Sequence, residues 1–189
     1  MKLQNKVVII TGGAGGIGAG MGRAMAKEGA IIVAVDVNPE TGAKIAGELQ
    51  QISPKSMFVQ ADLTDHANLK NIVEDVVAKY GHLDVLVNNA HASKQVPFLE
   101  TTPENLALSM DTGFYPTWYL MQAAIPHLKE TKGNIINFAS GAGIKGHKTQ
   151  AAYAAAKEAI RGITRVVANE FGADGITANL ISPIANSEG

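Results

Sequence analysis

The chain is predicted to fold as a doubly wound α/β domain, a parallel sheet with helices on both faces. Three observations predict it. Short β-branched runs alternate with longer helix-length segments along all 189 residues. The runs are almost wholly apolar, as strands buried on both faces of a parallel sheet must be. The first run ends in a glycine-rich turn that leads straight into a helical segment.

The elements follow in order. The strand candidates are "VVII" (7–10), "IIVAVD" (31–36), "MFVQA" (57–61), "LDVLVN" (83–88), "NIINFAS" (134–140) and "ITANLIS" (176–182). Helical segments fall between them at 16–29, 39–51, 66–80, 103–130 and 150–172. The fourth opens at "TTPEN", an N-cap followed by proline in the first turn. Gly113 and Pro116 interrupt it midway, which predicts two helices there. Such alternation implies right-handed βαβ crossovers and a single domain over 1–189, with no repeat or linker. After the sixth strand the chain runs to "SPIANSEG". A complete fold is expected to continue there.

Bulk numbers narrow the function. Hydrophobic residues make up 46% and charged residues 17%, a balance that supports one sizeable core. The net charge of -1 gives no reason to expect nucleic acid or an anionic membrane as partner. There is no cysteine, so disulfides and thiolate metal sites are excluded. No apolar stretch reaches the ~18 residues a spanning helix needs. A cytoplasmic protein is expected.

The segment "VVIITGGAGGIGAGMGRAMAKEG" reads strand, glycine loop, helix. Glycines permit a tight turn and close approach of backbone to a pyrophosphate, and the helix N-terminus offers free N–H groups. Gly13, Gly15 and Gly18 fit one dinucleotide-binding spacing; Gly12, Gly16 and Gly18 fit a looser one. Spacing does not choose between them. Asp36 ends the second strand, 20 residues after Gly16. An acidic residue there hydrogen-bonds the adenosine ribose. It would repel a 2′-phosphate, so NAD is favoured over NADP. Asp36 could otherwise cap the turn "DVNPE".

"AAYAAAKEAI" places Tyr153 and Lys157 at i and i+4, on one helix face. The alanines leave room for a flat group beside them. A nearby ammonium favours a phenolate, so the two side chains can act as one proton-transfer unit. Taken alone, this spacing also describes a surface lysine beside a packed tyrosine. Ser140, 13 residues before the tyrosine, lies at the C-terminal end of a strand, where open α/β sheets bind ligands. Its hydroxyl could hold a substrate oxygen, or it could cap a helix at "GAG".

"TGGAGGIG", Asp36, "ADLTD", "NNA", "NFAS" and "YAAAK", in this order, resemble the short-chain dehydrogenase/reductase family from Val7 to Pro183. The resemblance implies a Rossmann-type fold and the Gly12, Gly16, Gly18 register, with Ile17 in the same loop. It implies that Asp62 and Leu63 border an adenine and that Asn89 and Ala90 line a nicotinamide cofactor. Tyr153 would be the general acid/base. Lys157 would bind the nicotinamide ribose and ease proton release from the tyrosine, and Ser140 would orient the substrate oxygen. The implied activity is hydride transfer between NAD and a secondary alcohol or ketone, by a dimer or tetramer. A catalytically impaired dinucleotide binder is the alternative.

Three features depart from the family pattern. "NNAH" puts His91 where a glycine is usual. "SMDTG" puts Met110 where the family carries an asparagine, and Asp111 beside it would point elsewhere. A thioether is a poor substitute for an amide in holding a relay water, so slower proton exchange is expected and Met110→Asn should raise the rate. The third is the ending: the family's serine or threonine contact with the nicotinamide amide would fall near Ser187, and the domain is read as lacking the C-terminal lid and last strand that follow it in the family. His91 and His147 both lie on loops facing the expected pocket, and the favoured reading of each is a solvated loop histidine. His66, His82 and His127 form no metal spacing. Phe114, Tyr115, Trp118 and Tyr119 give one helix an apolar surface that suits a subunit interface.

Overall fold

The structure is a computed structural model that describes residues 1–183. Six parallel strands form one sheet. In chain order the elements are β1 (Val7–Thr11), α1 (Gly16–Lys27), β2 (Ile31–Asp36), α2 (Pro39–Ile52), β3 (Met57–Gln60), α3 (Leu69–Tyr80) and β4 (Val85–Asn88). There follow α4 (Pro103–Ser109), α5 (Tyr115–Thr131), β5 (Asn134–Phe138), α6 (Gly141–Lys145), α7 (Ala151–Phe171) and β6 (Thr177–Ile181). The strand order is β3-β2-β1-β4-β5-β6. This is the doubly wound, Rossmann-like arrangement the alternation predicts.

The central strands supply both layers of core. Val7 and Ile9 join Val33, Leu86, Ile135, Leu120 and Leu128 on one face. Val8 and Ile10 join Ile32, Val87, Ile45 and Leu49 on the other. Both sets are buried, which is why the strands read as unbroken apolar runs rather than alternating ones. Each fully buried isoleucine or leucine contributes about 1.5–3 kcal/mol, so the sheet is held from both sides.

Element boundaries move where side chains compete with the ladder. β4 begins at Val85, not at Leu83, with Asp84 just before it. Its carboxylate accepts from the Val7 backbone N–H at 2.9 Å and from Lys6 Nζ at 2.7 Å. β5 ends at Phe138, and Ser140 instead caps the short helix α6, which begins at "GAG" as the capping alternative expects. Gly113 and Pro116 do not separate α4 from α5 by a loop. The two are joined through a π-helical turn over Met110–Phe114. The proline lacks an N–H and sits at the start of α5, where the loss is tolerated. Among the described residues no helix is long and apolar enough to cross a membrane.

The order reverses between β1 and β4. α1 and α2 follow β1 and β2 to one face, while the later crossovers lead the other way. The carboxyl ends of β1 and β4 therefore open onto a crevice, the usual ligand position in such sheets. Beneath it runs a buried polar chain. Asn88 Nδ2 donates to Asn137 Oδ1, and Asn137 Nδ2 donates to Thr164 Oγ1, each at 2.8 Å. It ties the neighbouring strands β4 and β5 to α7.

Candidate active site

The crevice holds a cavity of about 570 Å³. Gly12, Gly16, Ile17 and Asp36 line one end, and Asn89, Ala90, His91, Tyr153 and Lys157 line the other. Loops after three strands and the start of one long helix thus meet in a single space.

The glycine loop needs its glycines for two reasons. Gly12 and Gly16 adopt positive φ, 62° and 46°, which side-chain-bearing residues rarely take. Gly18 lies so close to the Gly12 carbonyl that any Cβ would collide with it. Gly13 turns toward Ala34 of the sheet and does not line the cavity. Gly15 does line it, in open space, as the N-cap of α1 with no side-chain cap. Two positive-φ glycines and free amides at a helix start form a cradle of the kind that accepts an anion.

Neighbouring side chains hold the cradle. Thr11, the last residue of β1, is 2% exposed. Its Oγ1 accepts from the backbone N–H groups of Asn89 and Ala90 at 3.0 and 3.1 Å. Asn89 Nδ2 donates back to the Thr11 carbonyl at 3.0 Å and to the Gly12 carbonyl at 3.3 Å. These bonds weld the ends of β1 and β4 together, and the sequence reading missed Thr11. Its signal was a hydroxyl at the end of an otherwise apolar strand. Asp36 Oδ2 accepts from the Ala14 N–H at 3.1 Å and Oδ1 from the Asn38 N–H at 3.3 Å. A carboxylate has about four acceptor positions, so Asp36 keeps capacity for a ligand while it braces the loop.

The other predicted residues divide. Asp62 and Leu63 do not line this cavity. Leu63 is buried in the core, and Asp62 accepts from the backbone and hydroxyl of Thr64. Those bonds, the backbone one foremost, lower the Asp62 pKa. Ser140 is at the N-terminus of α6, where its Oγ accepts from the Ala142 N–H at 3.1 Å. The capping reading therefore describes its contact here, and its own hydroxyl proton is uncommitted. Ser187 lies outside the described residues.

Tyr153 and Lys157 stand one turn apart on α7 and both face the cavity. Lys157 is 3% exposed, and its Nζ donates to the Phe138 carbonyl at 2.8 Å. Nζ lies 5.7 Å from the Tyr153 ring centroid. Burial of the charged form lowers the Lys157 pKa from 10.5 to about 8. Ala152 and Ala156 are buried beside them, which lets α7 approach the sheet closely.

His91 overturns the solvated-loop reading. Its ring lies edge-on to Tyr153 at a centroid distance of 4.8 Å. Nε2 is 3.0 Å from Ser109 Oγ. Burial first, and the Lys157 charge second, push the imidazole pKa down to about 3. A loop position before "ASKQ" gave no sequence signal of such enclosure. His147, by contrast, is exposed and does not line the cavity. Met110 opens the π-turn and is likewise not part of the lining.

A family model described as short chain dehydrogenase matches residues 6–186. A 12alpha-hydroxysteroid dehydrogenase from a Clostridium species is 42% identical over 190 residues, covering 96% of this chain and 73% of its own length. A meso-2,3-butanediol dehydrogenase from Serratia marcescens is 36% identical over 183 residues, covering 97% and 72%. The crystal structure of Cj0485 dehydrogenase superposes with a TM-score of 0.92 at 33% identity, over 99% of this chain and 72% of that one.

Proposed function

The chain belongs to the short-chain dehydrogenase family of oxidoreductases, and we propose that it moves a hydride between NAD and a secondary alcohol or ketone. The observation that carries this reading is the convergence of Tyr153, Lys157, the glycine loop and Asp36 on one cavity. When bound, the nicotinamide supplies the hydride acceptor or donor.

The chain's own residues do the rest. The positive-φ turns at Gly12 and Gly16 let the loop amides face a pyrophosphate, and the ring-free wall at Gly15 gives it room. Asn89 and Ala90 form the wall opposite. Asp36 takes the ribose hydroxyls of an adenosine through its remaining lone pairs and disfavours a 2′-phosphate, which selects NAD. Asp62 and Leu63 are assigned to the adenine edge on family resemblance alone. In alcohol oxidation the Tyr153 oxygen accepts the hydroxyl proton; in ketone reduction it returns it. The buried Lys157 ammonium, held by the Phe138 carbonyl, supplies positive charge beside the phenol oxygen and hydrogen-bond donors for a ribose. The uncommitted Ser140 proton is donated to the substrate oxygen while its Oγ goes on capping α6.

A hydroxysteroid is the first substrate class to assay, because a relative 42% identical is named for one. Butanediol is the second. The chain is proposed to act as a homo-oligomer in the cytoplasm. In support, Tyr115, Trp118 and Tyr119 are 37–41% exposed on α5, and an apolar groove lies between α5 and α7. The test of catalysis is Tyr153→Phe. It should reduce turnover by about 100-fold to 10,000-fold, the range a general acid/base contributes, with NAD affinity within about twofold. A variant that keeps wild-type turnover would refute the assignment.

A further inference from the structure

His91 stands on the loop after β4, yet two other segments shape its surroundings. From α4, Ser109, itself 0% exposed, meets Nε2 at 3.0 Å. From the π-turn, Gly113 faces the other ring nitrogen, and a Cβ at 113 would run into Nδ1. The ring also stands nearly perpendicular to Tyr153, at an interplanar angle of 83°. A π-turn adds one residue to a helix and marks functional positions often enough to draw notice. Here it brings the one residue without a side chain to the ring.

We propose that His91 is a positioning residue for Tyr153: Ser109 anchors the imidazole, Gly113 makes room for it, and its edge-on contact fixes the orientation of the phenol in the cavity. This rests on the proposed role of Tyr153 in proton transfer. A T-shaped ring pair at this separation is the favoured geometry for two aromatic quadrupoles. A tyrosine held by such a pair loses little rotational freedom when it transfers a proton. Small misplacements of a reacting group are costly, since about 1 Å is enough to lose 100-fold in rate.

The ring's polar atoms agree with this role. Nδ1 is buried without a partner. An unsatisfied buried acceptor costs less than an unsatisfied donor, and orphaned N–H groups are the rarer of the two. The proton therefore sits on Nε2, which donates to Ser109 Oγ, and Nδ1 keeps its lone pair. The imidazole is neutral throughout the working range, as its burial and the facing Lys157 charge require. It holds the tyrosine without competing with it for the proton.

The test combines kinetics with a readout that needs no turnover. Oxidation of a 12α-hydroxysteroid and of 2,3-butanediol with NAD is measured for the wild type, His91→Ala, Ser109→Ala and the double variant. We expect kcat to fall by about tenfold to 100-fold in His91→Ala, with NAD affinity and KM within about twofold. Ser109→Ala should lower kcat in the same direction. The double variant should lose no more than His91→Ala alone, because both act through one ring. His91→Phe, which keeps the ring, should recover part of the loss. In parallel, nitrogen NMR of the His91 ring should show a single Nε2–H tautomer that does not titrate from about pH 9 to about pH 5, and Ser109→Ala should mix the tautomers. Where His91→Ala does not fold, Ser109→Ala carries the test. Wild-type kcat in both single variants, losses that multiply in the double variant, or a ring that titrates near pH 6.5 would each overturn the inference. An active Tyr153→Phe, or no wild-type turnover on either substrate, takes the proposed function down with it. An inactive Tyr153→Phe beside a fully active His91→Ala removes only this inference.

Discussion

Lys157 turns the geometry of the site into a measurable stability effect. The perturbation is Lys157→Met, which keeps a long side chain and removes the charge. The lysine is 3% exposed, and burial lowers its pKa from 10.5 to about 8. Because the folded pKa lies below the unfolded one, the folded chain gives up the proton first as pH rises. Folding stability must therefore increase between about pH 8 and 10.5 and level off beyond. That interval is about 2.5 pH units, and at about 1.4 kcal/mol per unit it amounts to about 3 kcal/mol. Below pH 8 the wild type bears this destabilisation in full. The assay is urea unfolding of wild type and variant at matched pH from about 7 to about 10.5. Other groups titrate in both proteins, so the difference isolates Lys157. The wild type should gain up to about 3 kcal/mol on the variant across that range. Parallel profiles would mean that the ammonium is hydrated in the folded chain. The enclosed Tyr153–Lys157 arrangement would then be wrong.

Two further substitutions test specificity and proton supply. Asp36→Ala should shift the ratio of NADP to NAD affinity toward NADP by roughly tenfold to 100-fold, equivalent to about 1.4–3 kcal/mol, measured by fluorescence titration of both cofactors; an unchanged ratio would remove Asp36 from cofactor choice. Met110→Asn should raise kcat several-fold by placing an amide where a weakly accepting thioether stands, and equal or slower turnover would show that the π-turn residue takes no part in proton exchange.

Much of the fold could be read in the chain because its strands are buried on both faces. Parallel strands of this kind show as apolar runs, and β2 is found at the predicted 31–36. Two of the strand boundaries that moved lie beside polar side chains. At the start of β4 the Asp84 carboxylate binds Lys6 and the Val7 amide. Beyond the end of β5, Ser140 caps α6. Gly113 and Pro116 predict two helices over 103–130 and the structure has two, α4 and α5; the unpredicted feature is the π-turn over Met110–Phe114 that joins them, with Gly113 inside it and Pro116 at the start of α5. Such an outcome depends on what packs against the turn, and no local pattern encodes it.

The site divides along the same line. Asp36, Tyr153 and Lys157 could be named as candidates because each depends on spacing along one helix or one strand end, whereas spacing left two glycine registers open and only the family resemblance pointed to Gly12, Gly16 and Gly18. Thr11, Ser109 and the environment of His91 were not, because their partners are distant in sequence. Thr11 meets Asn89 across 78 positions, and His91 meets Ser109 across 18. The glycine at 113 shows the limit best. Read along the chain it predicts a break in a helix; in three dimensions it is the absence of a side chain that admits an imidazole beside Tyr153. The same residue type does opposite work at Gly12, where what is needed is positive φ. Gly113→Ala separates the two roles, since a methyl there leaves the backbone unstrained yet evicts the ring.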